Sequence, residues 1–161
     1  MPRPSWASAV LIALSVALAP PLAAGPADSV LSAVNAARAR AGCGPLRPNP
    51  KLMAAARSHA RAMAEQDFFA HAGKDGSRFS SRIRRQGYDY RAAAENIAAG
   101  QTSAGEVVRS WLKSPGHRRN MLDCTMQETG IALVHQPDDR PLRGQRAPLR
   151  YYWVQIFAAP G

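Results

Sequence analysis

The sequence predicts an α+β domain, on three observations. Apolar residues recur at helical spacing from Val30 to Leu122. β-branched and aromatic residues then take over in Glu128 to His135 and Leu149 to Phe157. Once an N-terminal leader is set aside, about 135 residues remain, which is one domain with enough chain to bury a core.

The leader reads as a signal peptide over residues 1–24. Arg3 supplies a positive start, Ala9 to Ala19 an apolar run, and Ala23-Ala24-Gly25 the small residues of a cleavage site. Cleavage is expected between Ala24 and Ala27. The apolar run falls short of the roughly 20 residues of a permanent membrane helix. The mature chain, one domain over residues 28–159, is therefore expected to be secreted, periplasmic or extracellular, with no transmembrane anchor. Cys43 and Cys124 are an even pair in an exported chain and predict one disulfide. Closing so long a loop is worth about 3 to 5 kcal/mol on chain-entropy grounds.

Asp28 or Ser29 can cap a first helix to about Ala41, with Val30, Val34 and Ala37 inward and Asn35, Arg38 and Arg40 outward. Gly42 ends it. Asn49-Pro50 combines a cap with proline at the first helical position, opening a helix to about Gln66. That helix should bury Leu52, Ala56, His59 or Ala60, and Met63. A short helix fits Phe79 to Gln86, closed by Gly87, and Tyr88 to Ala98 reads as extended or mixed. Ser103 caps the next helix, whose stripe is Val107, Val108, Trp111 and Leu112. Pro115-Gly116 interrupts it, and His117 to Leu122 adds a turn. Between the two strands, Gln136 to Pro148 is a polar loop expected to be mobile.

The formal charge of +10 invites a nucleic-acid reading. Against it, the arginines are scattered, clustering only at Arg82-Arg84-Arg85 and Arg118-Arg119, and no aromatic residues interleave with them for base stacking. Nucleic acid is not an expected partner. Anionic polymers of the cell envelope are.

Three short motifs carry the chemistry: Phe68-Phe69-Ala70-His71, Ala94-Glu95-Asn96-Ile97-Ala98, and Ser114-Pro115-Gly116-His117-Arg118-Arg119-Asn120-Met121-Leu122. Two imidazoles and a carboxylate from three segments can hold a divalent metal or move protons near neutral pH. In this order, with Gly87-Tyr88, Trp111, Gly130-Ile131-Ala132 and Trp153-Val154-Gln155-Ile156-Phe157, they make the chain resemble a bacterial member of the CAP superfamily. That superfamily comprises the cysteine-rich secretory, antigen 5 and pathogenesis-related 1 proteins, and its unit is also called the SCP domain.

The resemblance implies a three-layer α-β-α sandwich around a small antiparallel sheet, with a cleft that in some members coordinates a divalent cation such as Zn, Mg or Ca. His71 matches the family's first histidine and Glu95 its first carboxylate. Ser114 stands where eukaryotic members carry a second acid, and Tyr152 where they carry a second histidine. Here His117 is offered instead, with Glu106 as a looser acidic candidate. The expected cleft set is thus His71, Glu95, His117, Glu106 and Tyr152, and the candidate metal ligands are His71, His117 and Glu95.

Each residue also has a plainer reading. His71 can be a histidine at a helix end favoured by the macrodipole, and Glu106 a first-turn carboxylate favoured the same way. Glu95 can anchor backbone, and His117 can follow a fixed turn without functional consequence. His59 reads as a core histidine, His135 as solvated, Trp111, Trp153 and Phe157 as core, and Asn96 and Asn120 as loop residues bonding backbone.

Three functions fit. The first is a binding module for a small amphipathic ligand, peptide or cell-envelope fragment; it needs no nucleophile, and no G-x-S-x-G elbow is present. The second is a metal-assisted hydrolase using His71, Glu95 and His117. The third is adhesion to anionic envelope polymers through the basic surface. Binding is favoured, and no cofactor beyond a possible divalent cation is expected.

Overall fold

The computed structural model describes residues 24–161, so the leader assigned to residues 1–24 lies almost wholly outside it. Five helices and four strands follow in order: α1 (Pro26–Arg40), β1 (Arg47–Pro48), α2 (Pro50–Glu65), α3 (Phe79–Arg85), β2 (Tyr90–Ala99), α4 (Ala104–Lys113), α5 (Pro115–Met121), β3 (Glu128–His135) and β4 (Tyr151–Pro160). The sheet runs β1-β3-β4-β2, with β1 parallel to β3 and the other pairs antiparallel. It is the expected α-β-α sandwich.

Strand β4 explains the layering. Its alternating side chains build two cores, because successive residues of a strand face opposite sides. Tyr152, Val154, Ile156 and Ala158 pack with Leu52, Ala56, Ala60 and Met63 of α2 and Ile83 of α3. Trp153 and Phe157 pack with Val30 and Val34 of α1, Val107 and Trp111 of α4, and Met121 of α5. Covered on both faces, β4 reads in sequence as a nearly continuous apolar run.

Helix α2 lies against β3 through its alanines and through Gly130. A Cβ on Gly130 would sit 2.0 Å from the Leu52 carbonyl carbon and 2.2 Å from the Met53 nitrogen. Glycine is required there by a close backbone approach. Asn49 caps α2 by accepting from the Lys51 N–H at 3.0 Å, as the Asn-Pro pair predicts. The helix stops at Glu65, and Asp67 follows in the left-handed region at φ 51°.

Several expectations are corrected. Helix α1 starts at Pro26 with Gly25 as cap; Asp28 is its third residue, and its carboxylate accepts from the Gly25 N–H at 3.1 Å. Arg38 does not face away. It is fully buried, because its guanidinium donates to the carbonyls of Gly44, Met121, Asp123 and Met126 at 2.8–2.9 Å. Asn35 likewise turns inward and exchanges two hydrogen bonds with the Leu46 backbone. The segment left as extended or mixed is the full edge strand β2. Strand β4 begins at Tyr151 rather than Leu149, since Arg150 adopts φ 59°. The loop before it is pinned at one point: buried Asp139 accepts from Arg140 N, Arg150 N and the Tyr152 hydroxyl.

Cys43 and Cys124 are bonded, 81 residues apart in sequence. The bridge ties the turn after α1 to the segment entering β3, beside the carbonyls that Arg38 gathers.

Candidate functional site

Edge strand β2 organises the site. Glu95 and Asn96 are consecutive, so they face opposite sides of the sheet, as their neighbours Ile97 and Ala98 do in the two cores. Glu95 turns to the α2–α3 face, and Asn96 to the α5 face.

On the first face, His71 lies in the loop between α2 and α3, six residues past the end of α2 rather than at a helix terminus. Its Nδ1 stands 2.9 Å from Glu95 Oε1. The imidazole is 54% exposed, whereas the carboxylate is 1% exposed. A carboxylate accepts, so His71 Nδ1 donates to Glu95, and Nε2 is left for a second partner. Behind Glu95 stands Arg82, with Nη2 at 2.8 Å and 3.1 Å from the two carboxylate oxygens and 3.0 Å from the His71 carbonyl. One guanidinium therefore fixes both the carboxylate and the backbone of the histidine it orients. Buried charge held by a partner and by further hydrogen bonds is the arrangement low-dielectric surroundings demand.

On the second face, the Asn96 amide donates to the His117 carbonyl at 3.1 Å, and Asn120 donates to Asn96 Oδ1 at 2.9 Å. Asn96 and Asn120 thus lie on a strand and a helix, not in loops, and lock α5 to the edge of β2. Proline at the first position of α5 starts the helix that carries His117. Burial lowers the His117 pKa from its ordinary value, and nearby His71 lowers it further. Phe69, 40% exposed, gives the His71 loop an apolar flank.

Two expected cleft residues are engaged elsewhere. Glu106 serves the start of α4, where its carboxylate accepts from Thr102 N at 2.8 Å and Thr102 Oγ1 at 2.9 Å; those bonds lower its pKa. Tyr152 is fully buried, its hydroxyl donating to Asp139 Oδ2 at 2.9 Å, with burial raising its pKa. Neither is bonded to His71 or Glu95. His59 is core: 1% exposed, its Nε2–H donates to the Ala70 carbonyl at 2.9 Å, and burial lowers its pKa. His135 is exposed and stacks on Tyr151 at 4.3 Å.

Sequence reasoning missed Arg82, which stood out only as one member of the Arg82-Arg84-Arg85 cluster. Its signal was position: Arg82 follows Phe79 by three, on the side of α3 that also buries Ile83.

The metal reading fares poorly on this geometry. Glu95 is committed to Arg82 and His71, and among the described residues no three His, Cys, Asp or Glu side chains are grouped to hold an ion. The donor set does not fit a tetrahedral site of protein ligands.

Comparison with known proteins agrees with this architecture. The model of the cysteine-rich secretory protein family, CAP, matches residues 31–157. The chain belongs to the CAP family.

Among its CAP relatives, the uncharacterized protein YkwD of Bacillus subtilis is 35% identical over 106 residues, covering 65% of this chain and 41% of that protein. The uncharacterized membrane protein YlbC of the same species is 27% identical over 104 residues, covering 65% and 30%. This chain thus spans less than half the length of either. An outer surface protein of Borrelia burgdorferi shares the fold at TM-score 0.71 and 19% identity, over 82% of this chain and 90% of that one. An extracellular SCP-domain protein of Bacillus anthracis does so at 0.67 and 22%, over 80% and 38%.

Proposed function

We propose that this CAP domain is an exported binding module whose cleft, astride the edge of β2, takes a small amphipathic ligand: a peptide or a cell-envelope fragment. The observation that carries this reading is the exposed His71 ring, held by a buried carboxylate that is itself held by a buried guanidinium. Such a device fixes the orientation of an exposed ring and leaves Nε2 for a ligand, and a purely structural histidine does not need it. His117 supplies a second imidazole, kept neutral by burial, and Phe69 an apolar contact. Export is supported by the leader-like N-terminus and by the disulfide, which belongs to oxidising compartments. Among the described residues no helix is long and apolar enough to cross a membrane.

The test is calorimetry with peptidoglycan stem peptides and muropeptides, on wild type, His71→Ala and His117→Ala. Saturable binding weakened at least about tenfold in His71→Ala is expected. Binding indifferent to both substitutions but abolished by salt would move the function to the basic surface. A zinc titration on the same variants addresses the hydrolase reading; a micromolar site lost in both would overturn the binding-only assignment.

A further inference from the structure

A concavity of about 210 Å³ opens between α2, the Gly73–Ser77 turn and α3; its walls include neither His71, Glu95 nor His117. They bring together Lys74, Arg82 and Arg85 with Ser58 and Ser77. The acidic wall residue is Asp75, and it is already engaged: Oδ1 accepts from Ser77 N at 2.9 Å, and Oδ2 is 3.6 Å from Arg85. Arg82 is paired with Glu95 and Arg85 with Asp75, so the ammonium of Lys74 leaves the wall with a net positive charge. Lys74 donates to the Gln66 carbonyl and lies over the Phe68 ring, which keeps its ammonium beside the opening.

Arg82 gives the pocket its significance. Its side chain is 5% exposed, Nη1 donates to the Ser77 carbonyl at 3.0 Å, and Nη2 holds Glu95 and the His71 carbonyl. Its Nε is buried without a protein partner. Buried donors nearly always find an acceptor, a bound water or a ligand atom, and the chain itself supplies Nε with none. The volume lies below the roughly 300–1,000 Å³ of sites for larger ligands, so the acceptor is small.

We infer that this pocket binds a small oxyanion, a phosphate or a carboxylate group, and that through Arg82 its occupancy is felt by the His71–Glu95 pair. The ligand would complete the guanidinium's hydrogen bonding next to Lys74 and Arg85. The same guanidinium positions the cleft histidine, so the two sites share one residue.

The experiment is NMR of the purified protein at fixed pH and ionic strength, following the Arg82 Nε–H and His71 ring signals. Inorganic phosphate and acetate are titrated separately, with chloride as control. A saturable shift of both signals by phosphate or acetate, with Kd of about 1 mM or tighter, is expected. Saturation by phosphate alone assigns a phosphate ligand, and by acetate alone a carboxylate. Lys74→Ala with Arg85→Ala should weaken the effect about tenfold, and Asp75→Asn should tighten it several-fold by removing the repulsive charge. All three positions are exposed, and unchanged thermal melts serve as the folding control. A linear response matching chloride would overturn the site. So would saturation unaltered in these variants, because the anion would then bind elsewhere. Saturation at Arg82 with no response at His71 would overturn the coupling.

Discussion

Glu95 and His71 meet at 2.9 Å across the edge of β2, one nearly inaccessible and the other more than half exposed. The pairing is asymmetric in its consequences. The carboxylate depends on Arg82 to be tolerated inside, and the imidazole depends on the carboxylate to be aimed outside.

Removing one partner of the Arg82–Glu95 pair should therefore destabilise more than removing both. Arg82→Met alone strands a buried carboxylate and should cost about 3–5 kcal/mol. Combining it with Glu95→Gln should recover part of that loss. Urea unfolding of the two single variants and the double variant checks this, and additive costs would contradict it.

Acid should weaken the fold through His59. Its pKa is lowered in the folded protein, so below the unfolded value of about 6.5 the unfolded chain takes up a proton that the folded chain refuses. Stability then falls as pH drops, by at most about 1.4 kcal/mol per pH unit for one group, and levels off below the folded pKa. His59→Gln keeps a donor for the Ala70 carbonyl and should flatten the profile between pH 7.5 and 5. A profile identical to wild type would rule out His59 as the source.

Two glycines should respond in opposite directions. Gly130→Ala drives a methyl into the backbone of α2 and should cost about 3 kcal/mol or more, visible as a lowered melting temperature or loss of folding. Gly116→Ala meets nothing within 4 Å inside helix α5 and should be neutral or stabilising by up to about 1 kcal/mol.

Arg38 and the disulfide should prove partly redundant. Reduction of Cys43–Cys124 should cost about 2–5 kcal/mol. Arg38→Ala leaves four carbonyls without their donor and should cost about 3 kcal/mol or more. Thermal melts with and without reductant, in both backgrounds, measure the coupling. A reduced wild type that unfolds completely at 25 °C would show that Arg38 alone cannot hold the junction.

Tyr152→Phe should loosen the loop around Asp139 by removing a buried donor, at about 1–2 kcal/mol. Faster amide exchange at Arg140 and Arg150 is the expected signature.

Much of the architecture was legible in the chain. Asn49-Pro50 and Ser103 announced helix starts, the runs at Glu128 and Leu149 announced strands, and an even pair of cysteines behind a leader-like segment announced their bridge. These signals are local: a cap, a period or a proline acts within one turn of itself. Strand β2 was ambiguous because its alanines carry little β preference; pairing with β4 makes it a strand. His71 and Glu95 were recognisable as a candidate pair from their motifs, while the bonds of Glu106 to Thr102 and of Tyr152 to Asp139 were not, because a matching position does not report a side chain's partners.

The sequence alone determined the helical segments and the last two strands, which faces of most of them are apolar, and which cysteines bond. Only the tertiary structure decided the roles of the polar residues inside. Arg38 finds carbonyls more than 80 residues away, Arg82 finds Glu95 on another element, and Tyr152 finds Asp139. Periodicity records that a position is buried; what a buried charge or hydroxyl touches is set by how distant segments meet in space, and that meeting has no local code.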